Sequence, residues 1–387
     1  MRYYLIAGEA SGDLHGSNLI KALYENDRLA EFRFYGGEKM LDSSQGKGTL
    51  VCHYKDGAVM GLGDVISKAG SLLGKFARCK KDIIDWRPDV VILIDYPGFN
   101  MKIAKFCHDN GIRNYYYIAP KTWASREGRN KKLKKYVDSL YIIFPFEKEY
   151  FDKHELNYIY LGNPLLDAID KHPSMLESED DFRIRTNIGQ GDYIALLAGS
   201  RKGEVSRMMP TCCEVLSRFI SSNPNYKIVI AAAPSMDIEC YNSFIPEELK
   251  KQIIILKSET YGILKHAKAA IVNSGTASLE TALIDTPQVV CWSTGAFTAW
   301  VARNILKVMD HIKYISLGNL CIDRFAFKEL VQEDFNCKYL EEELNRLVFD
   351  EHYRNEMRKD YSLIRKVLGG GGASERIAKS IIASLQK

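Results

Sequence analysis

"DVVILID", residues 89 to 95, decides how this chain folds. An unbroken apolar run stands between two aspartates, with no polar residue alternating in it. A strand with one wet face alternates. A continuous run of this length reads as a strand covered on both faces, as in a parallel sheet between two layers of helices. Similar runs occur upstream and downstream: "YYLIA" (3–7), "NYYYIA" (114–119), "SLYIIF" (139–144) and "YIYLG" (158–162). A second series comprises "YIALLAG" (193–199), "KIVIAAA" (227–233), "IIIL" (253–256), "AAIVNSG" (269–275) and "TPQVVCW" (286–292). Helical patterns lie between most of them, the first over about 14–24. Alternation of this kind predicts α/β architecture with parallel strands and crossover helices.

The two series are separated by "GNPLLDAIDKHPSMLESEDDFRIRTNIGQGD" (162–192), which is polar, holds two prolines and an acidic run, and reads as a domain boundary. At 387 residues the chain is too long for one ordinary domain and fits two. The expected division is 1–165 and 166–374. After the flexible "LGGGGAS" (368–374), a last helix over 375–385 is expected to carry the tail 375–387 back to the first domain. There is no internal repeat.

Apolar content of 46% is that of an ordinary globular protein, and a net charge of +4 gives no reason to expect a nucleic-acid partner. No stretch reaches the roughly 18 to 20 apolar residues of a membrane span. "MRYYLIAGEA" lacks a signal-peptide pattern. Nine cysteines with no C-x-x-C pair read as reduced, mostly buried thiols, and predict a cytoplasmic protein.

In doubly wound sheets ligands bind at the carboxyl ends of strands. The first half offers "GEASGDLHG" (8–16), "IDYPGFN" (94–100) and "APKTWASREGR" (119–129). The second offers "AGSRKGE" (198–204), "AAPSMD" (232–237) and "NSGTASLE" (273–280). Diphosphate favours helix N-terminal amides and cations and is repelled by carboxylates. It therefore belongs with Ser200 and Arg201 and with the hydroxyls of Ser274 and Thr276. Glu280, one helical turn past Thr276, suits the hydroxyls of a ribose. Glu9, Asp13 and His15 on a bare glycine backbone suit neutral sugar hydroxyls. Asp95 ends a wholly apolar strand, where a carboxylate is costly unless partnered or used. It reads as a general base or sugar ligand. Plainer readings stand beside these: Ser11 or Asp13 starting a helix at Leu14, Ser274 or Thr276 as a cap, Glu280 in a surface pair, and Asp95 bonded to its own turn.

"AGEASGDLHG", "IDYPGFN", "WASR", "PFEKEYF", "GNPLLD", "GSRKGEV", "SGTASLE", "YISLGNL", "KELVQ" and "LGGGGAS", in this order, resemble the lipid-A-disaccharide synthase family over nearly the whole chain. That family consists of glycosyltransferases of the GT-B type, α/β proteins with two Rossmann-like parallel-sheet domains facing a central cleft. The resemblance implies transfer of diacylglucosamine from UDP-2,3-diacylglucosamine to the 6-hydroxyl of 2,3-diacylglucosamine 1-phosphate. The products are the β-1,6 disaccharide 1-phosphate of lipid A biosynthesis and UDP. It implies Asp95, Glu9 and Arg201 as catalytic, and Gly8, Ser11, Asp13, His15 and Asn100 against the acceptor. Gly199, Ser200, Arg201, Glu204, Ser274, Gly275, Thr276, Ser278 and Glu280 are expected at UDP, with Asn319 and Gln332 near the donor. Four positions depart from the family's frequent residues: Gly98 for a carboxylate, Asn163 for histidine, Gly318 for proline and Ser125 for tryptophan. Gly98 leaves the base to Asp95. No D-x-D occurs in the chain, so no metal or other cofactor is expected.

Acylated substrates imply a membrane face. "AVMGLGDVISKAGSLLGKFARCKK" (58–81) carries Met60, Leu62, Val65, Ile66, Leu72 and Leu73. "KTWASREGRNKKLKK" (121–135) sets seven basic residues against one acid, beside Trp123. Together they predict docking on anionic lipid at the cytoplasmic face of the inner membrane; a core helix and a solvated loop are the plainer readings. Exchange of the last helix between copies would give a homodimer. A UDP-sugar 2-epimerase with the same two lobes is the alternative enzyme, and a non-catalytic lipid- or nucleotide-binding protein the third reading.

Overall fold

The computed structural model describes residues 1–57, 65–123, 127–234, 236–295 and 313–386, giving only the helical course over 65–72. Met60, Leu62 and Ser125 lie outside the described residues, as do the side chains of Val65, Ile66 and Leu72. The chain forms two compact units, Met1–Ala168 with Leu368–Lys387, and Ile169–Val367. The acidic stretch after the crossing is ordered as helix, with Glu179–Thr186 capped by Ser178.

The first unit holds seven strands: β1 (Arg2–Ala7), β2 (Glu31–Gly36), β3 (Gly48–His53), β4 (Val90–Ile94), β5 (Asn114–Tyr117), β6 (Ser139–Ile142) and β7 (Ile159–Tyr160). Every pairing is parallel, in the order β3-β2-β1-β4-β5-β6-β7. Residues 90–94 are fully buried, as an uninterrupted apolar run at the sheet centre requires. The patterns of β2 and β3 carry charged and small polar residues and went unread in the sequence. β3 lies at the edge, where full burial is not imposed; β2 lies between β3 and β1, and Glu31 and Arg33 alternate with its buried Phe32 and Phe34, so it shows no continuous apolar run.

The second unit holds β8 (Tyr193–Leu197), β9 (Lys227–Ala232), β10 (Ile253–Lys257), β11 (Ala269–Asn273), β12 (Gln288–Trp292) and β13 (Glu329–Val331). The order is β10-β9-β8-β11-β12-β13, again all parallel. The short edge strand β13 was also not foreseen.

One expectation is corrected at the start of the chain. "GEASGDLHG" is not a loop: the helix Ala10–Asn26 begins four residues before Leu14. Its glycines allow it to lie close to the sheet. A Cβ on Gly12 would stand 3.0 Å from Ala7 Cβ, and one on Gly16 would stand 2.7 Å from Met40 Sδ. A glycine-rich segment that looks like a phosphate cradle is thus a tightly docked helix.

The chain's end returns to the first unit through the helix Ala373–Leu385. The buried Asp167 accepts bonds from the Gly372 amide and, at 2.7 Å, from the Ser374 amide. Arg376 Nε donates to Leu161 O at 2.9 Å, and Asn163 N to Leu368 O at 3.0 Å. Asn163 also donates from its side chain to Ile143 O and accepts from Leu165 N, so the residue that departs from the family pattern here braces the junction.

Candidate active site

Strand order places the sites. In each sheet the chain winds outward in both directions from one central pair, and the crossovers beside that pair leave on opposite faces. A crevice opens at its carboxyl ends. In the first unit the pair is β1 and β4, with Ala7 beside Ile94, so Gly8 neighbours Asp95. In the second it is β8 and β11, with Leu197 beside Val272, so the segments starting at Ala198 and Asn273 emerge together.

At the first crevice, Asp95 and Tyr96 both take left-handed backbone, φ 43° and 47°, before the helix Pro97–Asp109. Such residues cost roughly 1–2 kcal/mol each, and the surroundings hold them. Asn100 Nδ2 lies 2.8 Å from Asp95 O and 3.2 Å from both Ile6 O and Ile94 O. Tyr116 Oη donates to Asp95 O at 2.7 Å. The Tyr96 ring covers Gly8, where a Cβ would come within 2.3 Å of it. The half-buried Asp95 carboxyl is raised by burial and by Glu9, while Lys121, the Tyr96 amide and Arg129 lower it. A raised carboxyl suits a group that must take up a proton. Glu9 and Ser11 are exposed at the helix start.

Three expected acceptor contacts are corrected. Asn100 is wholly buried and its amide binds main-chain carbonyls, so it shapes the turn. Asp13 is buried and caps the next helix, Glu38–Ser43: Gly37 N, Met40 N and Lys39 N donate to it at 2.7, 3.2 and 3.3 Å. Burial, the largest influence, raises its carboxyl and these amides lower it. His15 is buried and held neutral, its pKa lowered to about 4 by desolvation.

At the second crevice, Gly199 has φ 118°, and a Cβ there would meet Glu204 at 2.6 Å. Glu204 is corrected from ligand to brace. It accepts from Ser200 N at 2.9 Å, Arg201 N at 3.3 Å and Arg201 Nη1 at 3.1 Å, and opens the helix Lys202–Ser222. Tyr241 Oη donates to Gly199 O at 3.3 Å and accepts from Ala233 N at 3.2 Å. The Arg201 side chain is 71% exposed. Its pair with Glu204 is of the surface kind, worth about 0–1 kcal/mol, so exchanging it for a phosphate costs little.

Opposite, Gly275 and Thr276 are exposed at the start of the helix Thr276–Leu283, which no side chain caps. Capping therefore does not explain Ser274 or Thr276. Ser278 is corrected: it is buried and donates to Gly275 O at 2.8 Å. Glu280 is half-buried and accepts from Tyr261 Oη at 2.8 Å, a partner the sequence gave no reason to expect. Asn319 is also corrected. It is fully buried, donating to Glu329 Oε1 at 2.8 Å and Phe327 O at 3.1 Å and accepting from Ala326 N at 2.8 Å. Gln332, with φ 55°, accepts from Thr294 N at 3.1 Å and so fixes the turn beyond β12.

Two side chains of the membrane expectation, Leu73 and Trp123, lie among the described residues. Leu73 is 66% exposed on the helix Val65–Trp86. Trp123 is half-buried instead, its indole donating to Glu147 at 3.3 Å and its ring edge-on to Phe146. Glu147 appears in the sequence only inside "PFEKEYF" and was given no role there. It is buried, with Ile143 N and Phe144 N donating to it at 3.0 and 2.9 Å. Desolvation raises it to about 7, against the pull of those amides, the indole and Lys121.

A family model described as Lipid-A-disaccharide synthetase matches residues 3–383. The lipid-A-disaccharide synthase of Trichlorobacter lovleyi is 31% identical over 386 residues, covering 100% of this chain and 98% of the relative. That of Geobacter metallireducens is 32% identical over 387 residues, with 100% and 98% covered. Among solved structures, UDP-GlcNAc 2-epimerase from Neisseria meningitidis bound to UDP-GlcNAc has a TM-score of 0.68 at 12% identity, covering 99% of this chain and 100% of that one. That likeness concerns fold alone: two parallel-sheet α/β domains of the GT-B kind.

Glu147 generates a pH prediction. Its folded value lies above the ordinary 4.5, so the folded chain keeps a proton that the unfolded chain releases. The resulting stability is complete below the unfolded value and falls as pH rises from 4.5 towards about 7. Glu147→Gln removes this slope. Thermal melts across that window should show Tm of the parent chain falling more steeply than that of the variant; parallel curves would mean Glu147 is already ionised in the fold.

Proposed function

We propose that this chain, which belongs to the lipid-A-disaccharide synthetase family and is thus a glycosyltransferase of lipid A biosynthesis, transfers 2,3-diacylglucosamine from its UDP derivative to the 6-hydroxyl of 2,3-diacylglucosamine 1-phosphate with inversion. The observation that carries the reading is the convergence of Ser200 and Arg201 with Ser274, Gly275 and Thr276 at the carboxyl ends of β8 and β11. There an exposed guanidinium and uncapped helix amides offer a diphosphate what it needs. Glu280, held by Tyr261, takes the ribose hydroxyls, and Gln332 sets the neighbouring turn.

On the first unit Asp95 is the base, with Glu9 beside it for the sugar. The acceptor oxygen attacks the donor's anomeric carbon from the face opposite the diphosphate. The new C–O bond forms as the bond to UDP breaks, the proton passes to Asp95, and the charge left on UDP rests on Arg201 and the amides around Gly275. No divalent ion is required, since cation and amides supply the charge. The epimerase alternative shares the fold but not the family match, and is not favoured.

Mass spectrometry of the products from the two acylated sugars tests the transfer directly: the disaccharide phosphate and UDP should appear together. Arg201→Ala should reduce turnover by ~100-fold or more, the scale of losing one preorganised donor to a developing anion; near-normal turnover would remove Arg201 from the site. EDTA should leave the rate unchanged, and strong inhibition would sink the metal-free mechanism. For the lipid face, we propose that Leu73 and its neighbours dock on anionic vesicles. The chain should float with such vesicles, and Leu72→Ser with Leu73→Ser should weaken this; absence of flotation in the parent chain would end the idea.

A further inference from the structure

The strand-end segment "AAPSMD" (232–237) has no part in the reading above. It leaves β9, which lies beside β8 in the sheet. Leu196 pairs with Ile230 in parallel register, so three residues further on Gly199 stands opposite Ala233. Both are beyond the strands, which end at Leu197 and Ala232. The ladder stops there, and a side chain takes over. Tyr241, wholly buried on the short helix Glu239–Asn242, puts its hydroxyl between the two ends. It donates to Gly199 O at 3.3 Å and accepts from Ala233 N at 3.2 Å. A phenol hydroxyl can do both at once, which makes it a substitute for the missing ladder bond. Burial raises the pKa of this phenol, so it keeps the proton that it donates.

The peptide joining Gly199 to Ser200 is thereby held from both sides. Its carbonyl is bound by Tyr241, and its N–H donates to Glu204 Oε2 at 2.9 Å. Space around it is tight: a Cβ on Gly199 would stand 2.6 Å from Glu204 Cβ and 3.0 Å from Nδ2 of Asn273, the last residue of β11. Gly199, at φ 118°, has no Cβ to restrict its backbone, so without these two bonds the plane of the peptide is free to turn. Arg201 follows one residue later with an exposed side chain. The tilt of the peptide therefore sets the direction in which the guanidinium leaves the turn.

We infer that Tyr241 is a positioning residue for Arg201: its hydroxyl fixes the Gly199–Ser200 peptide, so that the guanidinium is aimed before any ligand arrives. The inference rests on the reading of the β8 end as a diphosphate site. Glu204 by itself does not suffice for this. It lies four residues from Ser200 on the same segment and moves with the turn it closes. Tyr241 ties that turn to a second strand end, and through it to the sheet. A donor fixed in this way needs no reorganisation when charge develops on a leaving group.

The test is a double-mutant cycle on UDP binding, read by calorimetric titration of the full chain. Tyr241→Phe keeps the ring and removes only the hydroxyl. It should weaken UDP binding roughly 5- to 10-fold, the scale of one hydrogen bond. Arg201→Ala should weaken binding too, and in that background Tyr241→Phe should cost no more than about twofold, because residues that act through one another are not additive. Equal losses in both backgrounds would make Tyr241 a structural residue only and overturn the inference, as would a Tyr241→Phe chain that binds UDP like the parent. If Arg201→Ala leaves UDP binding unchanged, the diphosphate reading itself fails and takes this inference with it. A measurement on the parent chain does not depend on how the variant folds. Amide exchange over 198–204 should be slow before UDP is added; fast exchange that slows only with UDP would show a turn shaped by its ligand and would overturn the role of Tyr241.

Discussion

Parallel pairing of two central strands is the constraint on which everything else depends. β1 with β4 and β8 with β11 are the pairs from which each sheet winds outward. Because strands of one direction must be joined by crossovers, and the crossovers flanking such a pair leave on opposite faces, they diverge from its carboxyl ends. The backbone emerging there is left to short turns. Two of those turns begin at Gly8 and Asp95, and two at Ala198 and Ser274. The apolar run 90–94 matters less for what it touches than for fixing where Asp95 stops being sheet.

The turns at these ends and beside them are costly to hold, and the fold holds them with hydrogen-bonded polar side chains, several of them buried. Asn100 clasps three carbonyls, Asp13 gathers three amides, Glu204 closes the loop after β8, and Asn319 with Glu329 ties the approach to β13. Asn100, Asp13 and Asn319 are removed from water and therefore paired, while Glu204 and Glu329 are only partly withdrawn. Three of them leave a nearby group outside: Asp95 before Asn100, Glu9 before Asp13, Arg201 beside Glu204. A site that acts on developing charge benefits from groups whose positions are fixed beforehand, and these braces provide that fixity.

Charge is divided between the two ends. The first crevice presents Glu9 and a raised Asp95; the second presents Arg201 and the uncapped start of the helix Thr276–Leu283, with Glu280 set back by one turn. A carboxylate beside a diphosphate would repel it, and a bare guanidinium beside a sugar hydroxyl would not accept its proton. The proposed transfer asks for such a separation, since an alcohol that loses a proton and a leaving group that gains charge make opposite demands.

Much of this was legible in the sequence. Unbroken apolar runs disclose strands buried on both faces, and the alternation with helices discloses the doubly wound plan, because burial and periodicity are local properties of a segment. The strand-end motifs follow from that plan, which is why the sequence points to the strand ends that carry Arg201, Thr276, Asp95 and Glu9. Edge strands β3 and β13 escaped because an edge does not demand full burial, and the interior strand β2 escaped because Glu31 and Arg33 break its apolar run. What the tertiary structure alone decided is which polar residue stays exposed at a strand end and which is turned into the protein. Asp13, Asn100, Glu204, Ser278 and Asn319 look the same in the sequence as their exposed neighbours. Their partners lie on other elements or on the loop they close, in some cases far away in the chain: Gly37 for Asp13, Ile6 for Asn100. A hydrogen bond between segments is a property of three-dimensional distance, and no spacing along the chain encodes it.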